Sequence, residues 1–204
     1  MFIPNDVKII LDTLKNNGYE SYIVGGSVRD ATIGKAVPKD YDITTNALPE
    51  EIIKIFDKTV PTGLKHGTIT VMVNGEGYEV TTYRIDGEYL DNRRPSGVTF
   101  VSNLEEDLAR RDFTINALAF NEKDGLIDCF DGISDLKNKI IRAVGEPNKR
   151  FKEDALRMLR AIRFAASLDF DIEEKTMIAI KINCNLISNV STRSEKHTSE
   201  LQSP

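Results

Sequence analysis

Two aspartates one residue apart, Asp40 and Asp42 in Lys39-Asp40-Tyr41-Asp42-Ile43, are the side chains of this 204-residue sequence whose type and spacing most directly suggest chemistry. In a strand alternate side chains share a face, so the two carboxylates project together while Tyr41 points away. Paired hard oxygen ligands suit magnesium, which takes one or two protein carboxylates and completes its octahedron with water and substrate phosphates. Upstream lies Gly25-Gly26-Ser27-Val28-Arg29-Asp30, a glycine pair opening a helix that begins near Ser27. The glycines allow close backbone approach to an anion, and a helix N-terminus offers free N–H groups and the positive end of a dipole. A phosphate cradle beside a metal site is the equipment of nucleotidyl transfer. Each half alone has a plainer meaning, since a lone Asp-x-Asp is common on solvated strands and Gly-Gly is more often a turn; their close succession favours the site. No Gly-Lys-Ser/Thr follows and a third glycine is missing, which excludes a Walker A loop and a dinucleotide fingerprint.

Two further groups join the candidates. Glu79 falls in the strand-like run 78–84, which Asn74-Gly75-Glu76-Gly77 separates from the run 68–73 as hairpin punctuation. On a neighbouring strand it can supply a third carboxylate, the alternative being an exposed strand acid. In Glu153-Asp154-Ala155-Leu156-Arg157 an acceptor and a planar donor fork stand three residues apart, hence on one helix face. Cytosine and adenine offer an amino donor beside an acceptor nitrogen, which this pair complements; uracil and guanine offer the mismatched pattern. The alternative is an intrahelical ion pair worth a few tenths of a kcal/mol. Arg160 and Arg163 follow on the same helical run.

The elements that must position these groups are legible from periodicity. Val7, Ile10, Leu11 and Leu14 mark a helix over 5–17 closed by Gly18, and short strands are expected at 21–24 and 40–43. Helices follow at 27–33 and from 46 to 56, the second with Pro49 and acids in its first turn. Residues 85–99 are rich in charge, glycine and proline without a period and read as a mobile loop, in which Arg93-Arg94 either meets phosphates or is solvated. A capped acidic helix over 103–110 leads into Arg110-Arg111-Asp112-Phe113-Thr114-Ile115-Asn116-Ala117. Short strands at 117–120, 126–130 and 140–144 surround a helix starting at Asp131-Gly132. From Pro147 the pattern becomes helical, one run to 168 and another from 173 to 186. A boundary near Gly145 divides an α/β head, 1–145, with a mixed or antiparallel sheet, from the start of an all-helical neck, 146–192. Residues 193–204 lack periodicity and read as a non-native tail.

A net charge of -5 does not advertise a general nucleic-acid binder, nor does it exclude one, because local basic surface matters more than the sum. Cys129 and Cys184 have no partner at metal-ligand spacing and read as small buried apolar residues. No apolar run approaches a membrane span and no basic-then-apolar leader opens the chain, so the cytoplasm is the expected compartment.

Taken together, the motifs at 25–30, 40–42, 110–117, 131–136 and 153–160 resemble, in order, those of class II CCA-adding tRNA nucleotidyltransferases, over about residues 1–186. The resemblance implies a polymerase-β-like head and a base-reading helical neck. It implies that Asp40 and Asp42 bind magnesium, that Glu79 lies near the primer hydroxyl, and that Arg111, Asp112 and Asn116 surround the nucleotide's ribose and phosphates. Asp154 and Arg157 would be the base-reading pair. The substrates implied are CTP, ATP and a tRNA 3′ end, with no membrane partner. Bacterial poly(A) polymerases share the head and much of the neck and are the alternative, as is a nucleotide-binding module without catalysis. Lys65-His66-Gly67-Thr68 and an intact 85–99 loop resemble the CCA-adding or A-adding members, while His66 is as readily structural as functional. That family continues into further helical domains that grip tRNA, so a chain ending here is expected to hold tRNA weakly. Oligomeric state is not legible.

Overall fold

The structure is a computed structural model that describes residues 1–35, 38, 40–89, 92, 93 and 95–189. The chain begins with α1 (Asn5–Asn16), which buries Val7, Ile10, Leu11 and Leu14 on one face and ends before Gly18, a residue at φ 85 that completes the stop. Next come β1 (Ser21–Val24), α2 (Gly26–Thr32), β2 (Asp42–Thr45) and α3 (Pro49–Ile55). In α3 the Glu51 carboxylate accepts the Leu48 N–H at 2.7 Å and Pro49 takes the first helical position. A four-strand passage follows: β3 (Thr59–Gly63), β4 (Thr68–Val73), β5 (Glu76–Thr82) and β6 (Arg84–Asp86). After it come β7 (Val98–Phe100), α4 (Leu104–Ala109), β8 (Leu118–Asn121), β9 (Gly125–Asp128) and α5 (Gly132–Asn138). The last part holds β10 (Ile140–Ile141), α6 (Pro147–Glu153), α7 (Leu156–Leu168), β11 (Asp171–Ile172) and α8 (Glu174–Asn183).

The main sheet is mixed, with seven strands in the order β3-β4-β5-β2-β1-β8-β9; β2 and β5 run parallel and the other pairs antiparallel. This is the expected α/β class. Two registers set the site. Val24, the last residue of β1, lies opposite Asp42, and Ile43 lies opposite Val80. Asp42, the Gly25 turn and Glu79 therefore gather at one edge of three adjacent strands. Beneath them one apolar cluster joins Ile10, Ile43, Ile69 and Phe113 to Phe151, Met158, Phe164 and Ala179.

Several expectations need correction. Cys129 and Cys184 are exposed rather than buried. The strand starts at Asp42, so Asp40 precedes it in irregular backbone, although Tyr41 is indeed turned inward at 5% exposure while both aspartates face out. The stretch 85–99 is not all loop: Arg84–Asp86 and Val98–Phe100 form a two-stranded ribbon, three residues per arm being too short to show a period. Strand β3 was hidden by Pro61 and Gly63, which an edge strand tolerates. The strand expected over 140–144 is only Ile140–Ile141, paired parallel with Asp171–Ile172. The single helix expected from 147 to 168 breaks after Glu153. Asp154 is extended, at φ -136 and ψ 104, and its carboxylate accepts the Leu156 N–H at 3.0 Å. The Ala155 N–H is taken by the Asn92 carbonyl at 2.8 Å, so the open backbone at the break is satisfied from the ribbon segment. Lys39, Arg94 and residues 193–204, named in the sequence reading, lie outside the described residues.

Candidate functional site

At the sheet edge Gly25 takes φ 74, and a side chain there would lie 3.3 Å from an Arg111 terminal nitrogen and 3.9 Å from an Asp42 carboxylate oxygen. The bare glycine is what lets β1 turn while Arg111 and Asp42 close on it. Gly26 faces the Arg29 guanidinium in the same way, at 3.6 Å. Ser27 is buried and its hydroxyl donates to the Val24 carbonyl at 3.2 Å, so it fixes the turn rather than offering itself to a ligand.

Asp40, Asp42 and Glu79 are exposed at the same edge, and the charges of Asp40 and Asp42 act on Glu79. Although the Asp42 residue is solvent-accessible, the protein crowded around its carboxylate strips away part of its hydration and raises its pKa; Asp40 raises it further, and Arg111 opposes both. Glu79 is raised by burial first, then by Asp42 and Asp40. Among the described residues no three His, Cys, Asp or Glu side chains close on one another tightly enough to hold a metal unaided. The mutual repulsion and the hard oxygen donor set nevertheless fit a divalent cation held by few protein ligands and completed by phosphate oxygens.

Behind the turn a buried polar chain links the head motifs to α7. Arg29, 6% exposed, donates to Asn116 at 2.8 Å, and Asn116 donates to Asp112 at 3.2 Å. Arg160 binds Asp112 at 2.7 Å through Nε. Burial alone would raise the Asp112 pKa, but Arg160, Asn116 and the Phe113 N–H outweigh it and hold it below the usual carboxylate range. The guanidiniums of Arg29, Arg160 and Arg163 stand 5.2, 5.2 and 5.4 Å from the Phe164 ring centre. Phe164 in turn packs edge-on against Phe113, centroids 5.9 Å apart. Sequence reasoning missed this ring, which spaces three like charges; its position next to Arg163 was the available signal.

Asp154 and Arg157 are both near the helix break but do not pair as an intrahelical couple. Asp154 accepts from Arg93 at 3.1 Å, whereas Arg157 donates to Glu153 at 2.8 Å, to the Arg110 carbonyl at 3.1 Å and to the Tyr89 hydroxyl at 3.5 Å. Burial raises the Asp154 pKa and Arg93 opposes it. Asp107, 0% exposed, also went unread, although its spacing from Arg110 and Arg111 is that of helical ion pairs.

A mixed sheet with carboxylates beside a glycine turn, backed by an arginine row on a following helix, defines the head of a nucleotidyltransferase and the helices next to it. Residues 21–142 match the Poly A polymerase head domain, and the chain belongs to that family. It is 56% identical to the CCA-adding enzyme of Lactobacillus helveticus over 182 residues, 89% of this chain and 45% of that protein. It is 55% identical to the CCA-adding enzyme of Pediococcus pentosaceus, over 91% of this chain and 47% of that protein. The chain thus spans about half the length of the curated relatives it matches. Among solved structures, the Bacillus stearothermophilus CCA-adding enzyme in complex with CTP superposes with a TM-score of 0.84 at 46% identity, covering 93% of this chain and 46% of that one. A tRNA nucleotidyltransferase complexed with a primer tRNA and an incoming ATP analog gives 0.68 at 35% identity, covering 87% and 50%.

Proposed function

We propose that this chain is the catalytic head, residues 1–145, and the start of the neck, 146–192, of a nucleotidyltransferase that adds C and A to the 3′ end of tRNA. In the reaction the tRNA 3′-oxygen bonds to the α-phosphorus of CTP or ATP, the bond to the β-phosphate bridging oxygen breaks, pyrophosphate leaves and the hydroxyl proton is lost. The observation that carries the reading is the likeness, over 93% of the chain, to an enzyme solved with CTP. Asp40 and Asp42 would hold magnesium, which when bound lowers the pKa of the attacking hydroxyl and neutralises charge on the leaving group. Glu79 would stand near the primer hydroxyl. The Gly25-Gly26 turn and Arg111 would receive the triphosphate together with Arg29, Arg160 and Arg163, and Asp112 with Asn116 would orient the ribose. Asp154 and Arg157 would read the base from opposite sides of the helix break rather than from one helical face.

Among the described residues no helix is long and apolar enough to cross a membrane. RNA binding and a cytoplasmic site of action belong to the same proposal. The test offers labelled CTP, ATP, UTP and GTP to the protein with tRNA transcripts lacking C, CC or CCA termini. The expected products are C additions followed by one A, with UTP and GTP refused. Long A tails on unrelated RNA would identify a poly(A) polymerase instead, and nucleotide binding without incorporation, even at tRNA concentrations high enough to offset weak tRNA binding, would identify a binding module.

A further inference from the structure

Asp107 sits in the last turn of α4, wholly buried, with its charge divided among several donors. One oxygen takes Arg110 through Nε at 3.0 Å and through a terminal nitrogen at 2.8 Å, and the Arg84 N–H at 3.3 Å. The other takes an Arg111 terminal nitrogen and the Thr44 hydroxyl, each at 3.3 Å. The second terminal nitrogen of Arg111 fills the notch at Gly25, whose far wall is the Asp42 carboxylate. One guanidinium therefore stands between two carboxylates, one buried behind the site and one at its mouth. No described residue makes a hydrogen bond or ion pair to the Asp42 side chain, so its carboxylate is available to Arg111, whose charge already acts on it. Asp107 is held ionised: burial favours its proton, but Arg110, Arg111 and the hydrogen bonds outweigh that.

We infer that Asp107 is a positioning residue that keeps Arg111 turned back from Asp42, leaving the Asp42 carboxylate open to a divalent cation. The inference rests on the reading of Asp42 as a cation ligand. A guanidinium removed from bulk water needs an anionic partner, and losing one leaves a costly uncompensated charge. Without Asp107 the nearest replacement is Asp42, reached by a small swing of the side chain across the Gly25 notch. Arg111 would then occupy the carboxylate the cation needs. Thr44 strengthens the arrangement, because it ties Asp107 to β2 two residues beyond Asp42.

The test measures Mn²⁺ binding, by the electron paramagnetic resonance signal of the free ion, with nucleotide absent. It compares the unmodified chain, Asp42→Asn, Asp107→Asn and the double variant Asp107→Asn with Arg111→Met, each checked for folding by circular dichroism. Asp107→Asn should weaken Mn²⁺ binding roughly tenfold or more, the scale of one partly desolvated charge pair. The double variant should bind as the unmodified chain does, since the competing guanidinium is gone, an outcome a merely structural role for Asp107 would not produce. Equal binding by the unmodified chain and Asp42→Asn would overturn the cation reading itself. Loss of binding in Asp42→Asn with full binding in Asp107→Asn would overturn only the positioning role. Should Asp107→Asn not fold, the double variant decides: full affinity supports the inference, and affinity as weak as that of Asp42→Asn overturns it.

Discussion

Carboxylates that each raise the next one's proton affinity oppose folding when ionised, and Asp42 and Glu79 are in that position. Replacing Asp42 by Asn should therefore leave the melting temperature unchanged or higher, while incorporation falls at least about a thousandfold, the equivalent of several kcal/mol of lost charge stabilisation. Thermal melts beside single-turnover assays check both halves, and near-full activity at ordinary magnesium would remove Asp42 from the site. Asp112 behaves in the opposite sense. Its folded pKa lies below the ordinary value of 3.8, so the fold gains stability from its ionised form at neutral pH. That gain is complete above about pH 4 and is lost as pH falls through the depressed folded value. Asp112→Asn should cost about 1 to 3 kcal/mol at pH 7, the lower range for a charge-paired group because Arg160 is 34% exposed. The difference from the unmodified chain should close on acidification; urea midpoints measured from pH 7 down to pH 3 would show it, and a gap that stays constant would contradict it.

Backbone geometry decides which of these side chains meet. At Gly132, which opens α5, an added side-chain carbon would stand 2.3 Å from the Thr114 carbonyl oxygen, in the turn that carries Asn116. Gly132→Ala should shift that turn, costing about 1 to 3 kcal/mol as overpacking does, and should weaken CTP binding; calorimetry beside urea unfolding tests the pairing of the two effects. The break between α6 and α7 has a specific consequence as well. It frees Asp154 from the helix, and in a dry site each mismatched polar group costs about 1 to 3 kcal/mol. Asp154→Asn should thus narrow the preference for CTP and ATP over UTP and GTP by roughly tenfold or more; an even loss with all four nucleotides would make Asp154 a helix cap and nothing else. Such geometry explains what was legible beforehand. The Gly25-Gly26 turn, the Asp42 edge and α1 follow local rules of period and glycine chemistry, so they could be read. The break at Asp154 depends on Asn92, more than sixty residues away, accepting the Ala155 N–H, and no window of sequence around 154 contains that information. The β6–β7 ribbon likewise depends on a pairing across the 85–99 stretch rather than on either arm alone.

At the scale of the whole molecule, packing does not stop at the division proposed near Gly145. Phe151, Met158, Phe164 and Ala179 belong to the same apolar cluster as Val7, Ile43 and Phe113. Arg142 reinforces that continuity, binding Asp135 of α5 at 3.0 Å and Glu173, the cap of α8, at 2.9 Å. A shared core means that neither part can lose its packing without exposing apolar surface of the other, so described residues on both sides of Gly145 should unfold together. The chain offers a direct way to test this. Its six tyrosines all precede residue 90 and it has no tryptophan, so tyrosine fluorescence reports mainly the head, with Tyr89 also touching Arg157 of α7. Far-UV circular dichroism also sees α6, α7 and α8. In urea the two signals should lose amplitude at one midpoint with one slope. Helical signal lost at lower urea than the tyrosine signal would mean that the neck helices unfold separately, and that the contact of Arg160 of α7 with Asp112 is too weak to couple the two parts.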